Sequence, residues 1–248
     1  MLRPLRAAWR LLRVAVHVLH GLAIVRWRFG ALDAAGRRER VLWWSRALLR
    51  HLGITLVVQG TPRTGAKLFV ANHISWLDIV AINATAPARF VSKAEVRHWP
   101  VLHQLVTAAG TLYLERDKRR DALRVVHQVA QALQDGDTVA VFPEGTTGTG
   151  HQLLPFHANL LQAAIATSTP VQPIALRYSD HREAVSSAVA YVGDTTIVQS
   201  LWWVACADGL QVTVRLLEPL GSRHADRRAL AQHARDRIEH ALNPVQPT

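Results

Sequence analysis

The sequence predicts an α/β fold: a mixed, largely parallel sheet flanked by helices and preceded by an N-terminal helical pair. From residue 54 onward, seven short β-rich runs alternate with helical stretches, the pattern of strands joined by helical crossovers. Apolar residues make up 49% of the 248, enough to build a real core. No internal repeat, low-complexity block or linker cuts a further compact unit from the region after residue 53.

The strand candidates are 54–59, 67–71, 90–92, 111–115, 138–142, 171–177 and 211–218, each rich in β-branched or aromatic residues and bounded by turn formers. Between them, Leu123, Val126, Val129, Ala130 and Leu133 recur at three and four residues and predict one apolar helical stripe that ends at Gly136. Leu160, Leu161, Ala164 and Ile165 predict another, and a last helix is expected over 225–242, before Pro244. Ahead of the sheet, a second helix is expected over 37–52, with Gly53 as its stop.

The net charge of +11 is unevenly placed. Residues 1–50 hold eleven Arg against only Asp33 and Glu39, which leaves 18 Lys or Arg facing 16 Asp or Glu in the rest of the chain. A basic leader on a nearly neutral body, with Trp43 and Trp44 beside Arg46 and Arg50, suits an anionic bilayer surface. It does not suit nucleic acid, for which no recognisable module is present. Only the twelve residues from Val14 to Val25 are free of Arg and Lys, too few for an ordinary span of about 20 residues. No small-residue cleavage site follows them. The leader is therefore read as a membrane-associated helical pair lying in the interface, with the division at 1–52 and 53–248, the alternative being an amphipathic helix packed on the protein's own core.

Cys206 has no second cysteine to pair with and is expected to be a small buried hydrophobe. The thirteen histidines contain no His-Glu-x-x-His pattern, so a metal enzyme is poorly supported.

Three segments carry chemistry. In Asn72-His73-Ile74-Ser75-Trp76-Leu77-Asp78, directly after a strand, Ser75 is expected to cap a helix with Asp78 as its third residue, leaving His73 in the loop to fold back onto the carboxylate. A carboxylate on one ring nitrogen makes the other a better base. The same spacing also describes a plain helix cap beside an unrelated loop histidine, and the residues alone do not choose. No Gly-x-Ser-x-Gly elbow supports a serine nucleophile. In Phe142-Pro143-Glu144-Gly145-Thr146-Thr147, Glu144 stands at the carboxyl end of a strand, where open α/β sheets bind ligands, though a plain Gly-rich turn reads the same. In Gly110-Thr111-Leu112-Tyr113-Leu114-Glu115-Arg116, a strand ends on an arginine whose planar fork suits phosphate or carboxylate.

The order of an NHxxxxD block, a Gly-to-Arg strand block, an FPEGT block and Pro170-Val171-Gln172-Pro173-Ile174, over roughly Lys67 to Leu176, resembles the lysophospholipid acyltransferases, the 1-acylglycerol-3-phosphate acyltransferase family. The resemblance implies that His73 is the general base and Asp78 its orienting partner, with Arg116, Glu144, Gly145 and Thr146 helping to hold the acceptor. It implies a transfer from acyl-CoA or acyl carrier protein, as co-substrate, to a lysophospholipid hydroxyl, without a cofactor, a metal or an acyl-enzyme. The first acceptor it suggests is 1-acyl-sn-glycerol-3-phosphate. The implied place is the cytoplasmic face of the inner membrane, among anionic lipids and away from nucleic acid. Two departures bear on the headgroup: Thr147 stands where members that acylate lysophosphatidate often have Arg, and Phe156-His157-Ala158-Asn159 replaces a common Phe-Lys-x-Gly. FPEGTT followed by Leu-Pro-Phe is similar to the branch with lyso-ornithine lipid acyltransferases, which makes that lipid the alternative acceptor. A non-catalytic membrane- or nucleic-acid-binding protein is the alternative of a different class.

Overall fold

The computed structural model describes residues 2–94, 96, 102–114 and 119–243. Seven strands, β1 (Thr55–Gln59), β2 (Lys67–Ala71), β3 (Arg89–Lys93), β4 (Leu112–Leu114), β5 (Thr138–Val141), β6 (Val171–Ser179) and β7 (Gln211–Leu216), form one sheet in the order β1-β7-β6-β2-β5-β3-β4. Every pairing is parallel except β6 with β7, so the expected mixed and largely parallel sheet is present. All seven strand candidates are strands: the bounds 67–71 are kept, the others shift by one or two residues at one end or both, and Glu115 of the candidate 111–115 lies outside the described residues.

Strand alternation divides the interior into two cores. On β2, Phe69 and Ala71 face one side while Leu68 and Val70 face the other; all four are buried. The first core is closed by α1 (Leu2–Trp27), α2 (Ala34–Leu52), α3 (Leu77–Asn83) and α7 (Ile197–Cys206), the second by α5 (Arg119–Gln134), α6 (Leu161–Ala166) and α8 (Arg227–Leu242). A short α4 (Leu102–Ala108) packs beside α1.

In α5 the buried face is Val125, Val129, Ala132 and Leu133, whereas Leu123 is exposed and Val126 and Ala130 are half-buried. The expected stripe is therefore rotated. Apolar residues cover so broad an arc of this helix that period alone does not pick its centre, and contact with α6 and the sheet does. Cys206 is half-buried rather than buried, because it is the last residue of α7.

The leader is built into the first core. Leu48, Leu49 and Leu52 of α2 and Val14 of α1 belong to it, and α2 ends at Gly53, whose positive φ of 76° gives the left-handed stop. Along α1, Ala7, Val14, His17, Gly21 and Ile24 face inward at helical spacing. His17 Nε2 bonds the Trp44 carbonyl at 3.0 Å and its ring stacks on that of Trp44. A Cβ on Gly21 would lie 2.5 Å from Trp44 Nε1, so only glycine admits this approach of the two helices. Arg10 donates to the carbonyls of Ala205 and Ala207, and Arg6 pairs with Asp208 at 2.6 Å, fastening α1 along α7.

The opposite stripe of α1, Leu5, Trp9, Leu12, Val16 and Leu19, is more than half exposed at every position, and α7 adds exposed Val198, Trp202 and Trp203. By length and composition the stretch Arg3–Trp27, with a mean hydropathy of 1.4 over its most apolar window, is enough to cross a membrane. The unbroken helix thus exceeds what a count of arginine-free residues suggested.

Candidate active site

The loop leaving β2 carries His73. Asn72 pins the strand end to the neighbouring β6: its Nδ2 donates to the Leu176 carbonyl at 3.0 Å and its Oδ1 accepts the Leu176 N–H at 2.8 Å. The chain then turns into α3, and Asp78, fully buried, reaches back. Its Oδ2 accepts the N–H of Ile74 (2.6 Å), the N–H of Ser75 (2.9 Å) and His73 Nδ1 (2.8 Å). The predicted capping box is half present. Asp78 does return to the Ser75 backbone, but α3 starts at Leu77 after Trp76, and the buried Ser75 hydroxyl accepts no helix N–H. The carboxylate already serves the first N–H groups of the turn, which leaves the serine side chain without that task.

An acceptor-only carboxylate on Nδ1 places the ring hydrogen there and leaves the lone pair on Nε2. The imidazole stacks flat on Phe142, with ring centroids 3.9 Å apart and planes 7° from parallel, which fixes its rotation. His73 lines a cavity of about 580 Å³ that borders α1, α2, α3 and α4, with Val14, Val18, Gly21, Trp44, Val80 and Leu105 in its wall. Such a space matches a long apolar chain in size and chemistry.

Glu144 lies at the exit of β5 and is buried. Its Oε1 accepts the His73 N–H at 2.7 Å and its Oε2 the Leu154 N–H at 2.9 Å. Burial raises its pKa above the ordinary carboxylate value, opposed by these two backbone donors and by His73. The Gly148 N–H donates to the His73 carbonyl at 2.8 Å, so the FPEGT loop holds the histidine backbone from both sides. Gly145 and Thr146 line the cavity with Thr147, while Glu144 stays beneath it with both oxygens occupied. Thr147 donates its hydroxyl to the Tyr191 carbonyl. Arg116 lies outside the described residues.

Thus His73, Gly145 and Thr146 line one cavity, with Asp78 buried behind His73 and Glu144 beneath it. The sequence reading missed Asn72, Phe142 and Tyr191. Asn72 and Phe142 sit inside the two motifs and were legible as part of them. Tyr191 follows an unpatterned loop and carried no signal.

A histidine held by a buried carboxylate and lining an apolar cavity at the carboxyl ends of a largely parallel sheet has the makings of an enzyme for an apolar substrate, and comparison with known proteins narrows the class. Residues 55–177 match the acyltransferase family, and the chain belongs to that family. It is 35% identical over 245 residues to the lyso-ornithine lipid O-acyltransferase of Pseudomonas aeruginosa, covering 96% of this chain and 94% of that one. It is 35% identical over 213 residues to the 1-acyl-sn-glycerol-3-phosphate acyltransferase of Neisseria meningitidis, covering 84% and 81%. The crystal structure of the 1-acyl-sn-glycerophosphate acyltransferase of Thermotoga maritima superposes with a TM-score of 0.73 at 19% identity, over 99% of this chain and 98% of that one, and shares the fold. The protein is an O-acyltransferase.

Proposed function

We propose that the chain acylates the free hydroxyl of a lysolipid, with His73 as general base, and that lyso-ornithine lipid is its preferred acceptor. The observation that carries the chemistry is that His73, which lines the apolar cavity, is paired through Nδ1 with the buried Asp78 carboxylate. His73 Nε2 takes the hydroxyl proton as the oxygen attacks the thioester carbonyl of acyl-CoA or acyl carrier protein. The tetrahedral intermediate then breaks its C–S bond, and the leaving sulfur receives the proton from the imidazolium. No covalent acyl-enzyme is needed, and the cavity holds an acyl chain away from water.

The acceptor preference rests on Thr147. Its hydroxyl is committed to the Tyr191 carbonyl, so position 147 brings no cation to a phosphate, and an amino-acid headgroup, which carries its own ammonium, needs none there. The Pseudomonas relative matches over more of both chains than the Neisseria one, which supports the same acceptor. The second reading, lysophosphatidate, is favoured by the Neisseria relative at equal identity. Purified enzyme offered both lysolipids in competition should form mainly acylated ornithine lipid. Thr147→Arg should move the product ratio toward phosphatidate by about tenfold, the effect of one added charge-assisted hydrogen bond. A parent enzyme that makes mostly phosphatidate overturns the preference without touching the acyl transfer.

The exposed stripe of α1 supplies the seat on the membrane, lying flat because Arg6, Arg10 and His17 hold the helix along the body. The basic leader then faces anionic headgroups, in keeping with the cytoplasmic leaflet. Replacing Leu12 and Leu19 together by Glu should weaken sedimentation with anionic vesicles at least tenfold, since each leucine contributes about 1.5–3 kcal/mol on leaving water. The melting temperature should not move, because both side chains are exposed. Vesicle binding equal to the parent's removes α1 from this role.

A further inference from the structure

Beneath the catalytic loop lies a buried titratable group that the transfer reaction does not use. Tyr178, 1% exposed, is the largest of the fully buried side chains. It stands on β6 on the same face as Ile174 and Leu176. Leu176 is the residue whose backbone Asn72 grips, one position before His73, so β6 delivers Tyr178 to the underside of the catalytic loop. There its hydroxyl lies against the Asp78 carboxylate. Burial, and after it the negative charge of Asp78, pushes the phenol pKa well above its usual value, so the group stays protonated and remains a donor.

The two oxygens of Asp78 differ sharply. Oδ2 accepts three hydrogen bonds, from His73, Ile74 and Ser75. Oδ1 is shut off from solvent and has no partner of good geometry among the described residues, and the same is true of the Tyr178 hydroxyl that lies against this carboxylate. A buried anionic oxygen and a buried hydroxyl, each lacking a partner and adjacent, are matched as acceptor and donor.

We propose that Tyr178 is a positioning residue of the catalytic pair, its hydroxyl donating to Asp78 Oδ1 and holding the carboxylate in the orientation that serves His73. The proposal rests on His73 acting as the base. Tyr178 touches neither lipid nor thioester and acts only through Asp78. With the phenol in place the carboxylate charge is shared among four donors. Without it, the charge falls more heavily on His73, the pair holds its proton more tightly, and the free base appears only at higher pH.

Tyr178→Phe removes one oxygen and keeps the ring. Its kcat should fall about tenfold, the worth of one hydrogen bond to a charged group, while the KM for lysolipid stays within about twofold of the parent. The acid limb of kcat/KM against pH should move to higher pH. Site-specific replacement of Tyr178 by a fluorotyrosine, whose phenol is a stronger donor, should move that limb to lower pH, and it decides the matter alone if the Phe variant fails to fold. An acid limb that stays in place in every folded variant overturns the proposal. His73→Ala, assayed alongside, keeps the two ideas apart. If it retains activity the base assignment falls, whereas an inactive His73→Ala with an unmoved limb in the Tyr178 variants sinks only the role of Tyr178.

Discussion

His73→Ala should lower acyl transfer by roughly 10² to 10⁴-fold, the usual contribution of a positioned acid–base group. The loss should appear in kcat, with the KM for the lysolipid little changed, because the imidazole acts on a proton in flight and not on the bound chain. The fold should persist. Asp78 keeps the Ile74 and Ser75 N–H groups, and the His73 backbone keeps its bonds to Glu144 and Gly148, none of which needs the ring. Thiol release from an acyl-thioester in the presence of lysolipid, read together with a thermal melt, measures both. A variant that melts like the parent and retains more than about a tenth of its activity ends the assignment of His73 as base. Thiol release before lysolipid is added, at one equivalent per enzyme, would instead point to a covalent acyl-enzyme.

Glu144→Gln should cost both activity and stability. The parent carboxylate accepts two backbone N–H groups, and an amide offers one oxygen and one NH2, so either His73 or Leu154 then faces a donor across a buried contact. Losing one such bond to a charged group costs about 1.5–3 kcal/mol. In a chain of this size that lowers the melting temperature by roughly 3–12 °C. Activity should drop by up to about a hundredfold, the full loss arising where the N–H left without an acceptor is that of His73, because small displacements of a catalytic group carry losses of that order. If Glu144 instead held the acceptor directly, the Gln variant would show a raised KM and a parental melt, which is the outcome that overturns the supporting role.

The pH dependence of that variant is a second check. Burial raises the folded pKa of Glu144 above its unfolded value, so the fold binds this proton more tightly than the unfolded chain does. Stability from the group is fully present below the unfolded pKa and declines as pH rises through the folded one. Glutamine has no proton to lose, so that decline should vanish in a comparison of melting curves across the carboxylate range.

All seven strands could be read from the chain because each is a short β-branched run closed by a turn former, and strand propensity and turn chemistry act within a few residues. The His73–Asp78 pair was nearly legible for the same reason. Five positions in a strand-to-helix turn are close enough to meet, and the ambiguity was whether the loop histidine folds back onto the carboxylate or stands apart from a plain helix cap. The α5 face was less so, since seven apolar positions between 123 and 133 allow several stripes and only the sheet selects one.

Local order along the chain therefore determined which segments are strands and helices, that a histidine and a carboxylate share one turn, and that a basic apolar leader precedes the sheet. The tertiary structure alone decided what surrounds that turn. Glu144 meets His73 across 71 residues and Thr147 meets Tyr191 across 44, while α1 and α2 wall the cavity that His73 opens onto. These contacts depend on strand order and on which helix covers which face. No spacing within a single segment encodes them, because the forces that bring such residues together act through the packed sheet and not along the backbone.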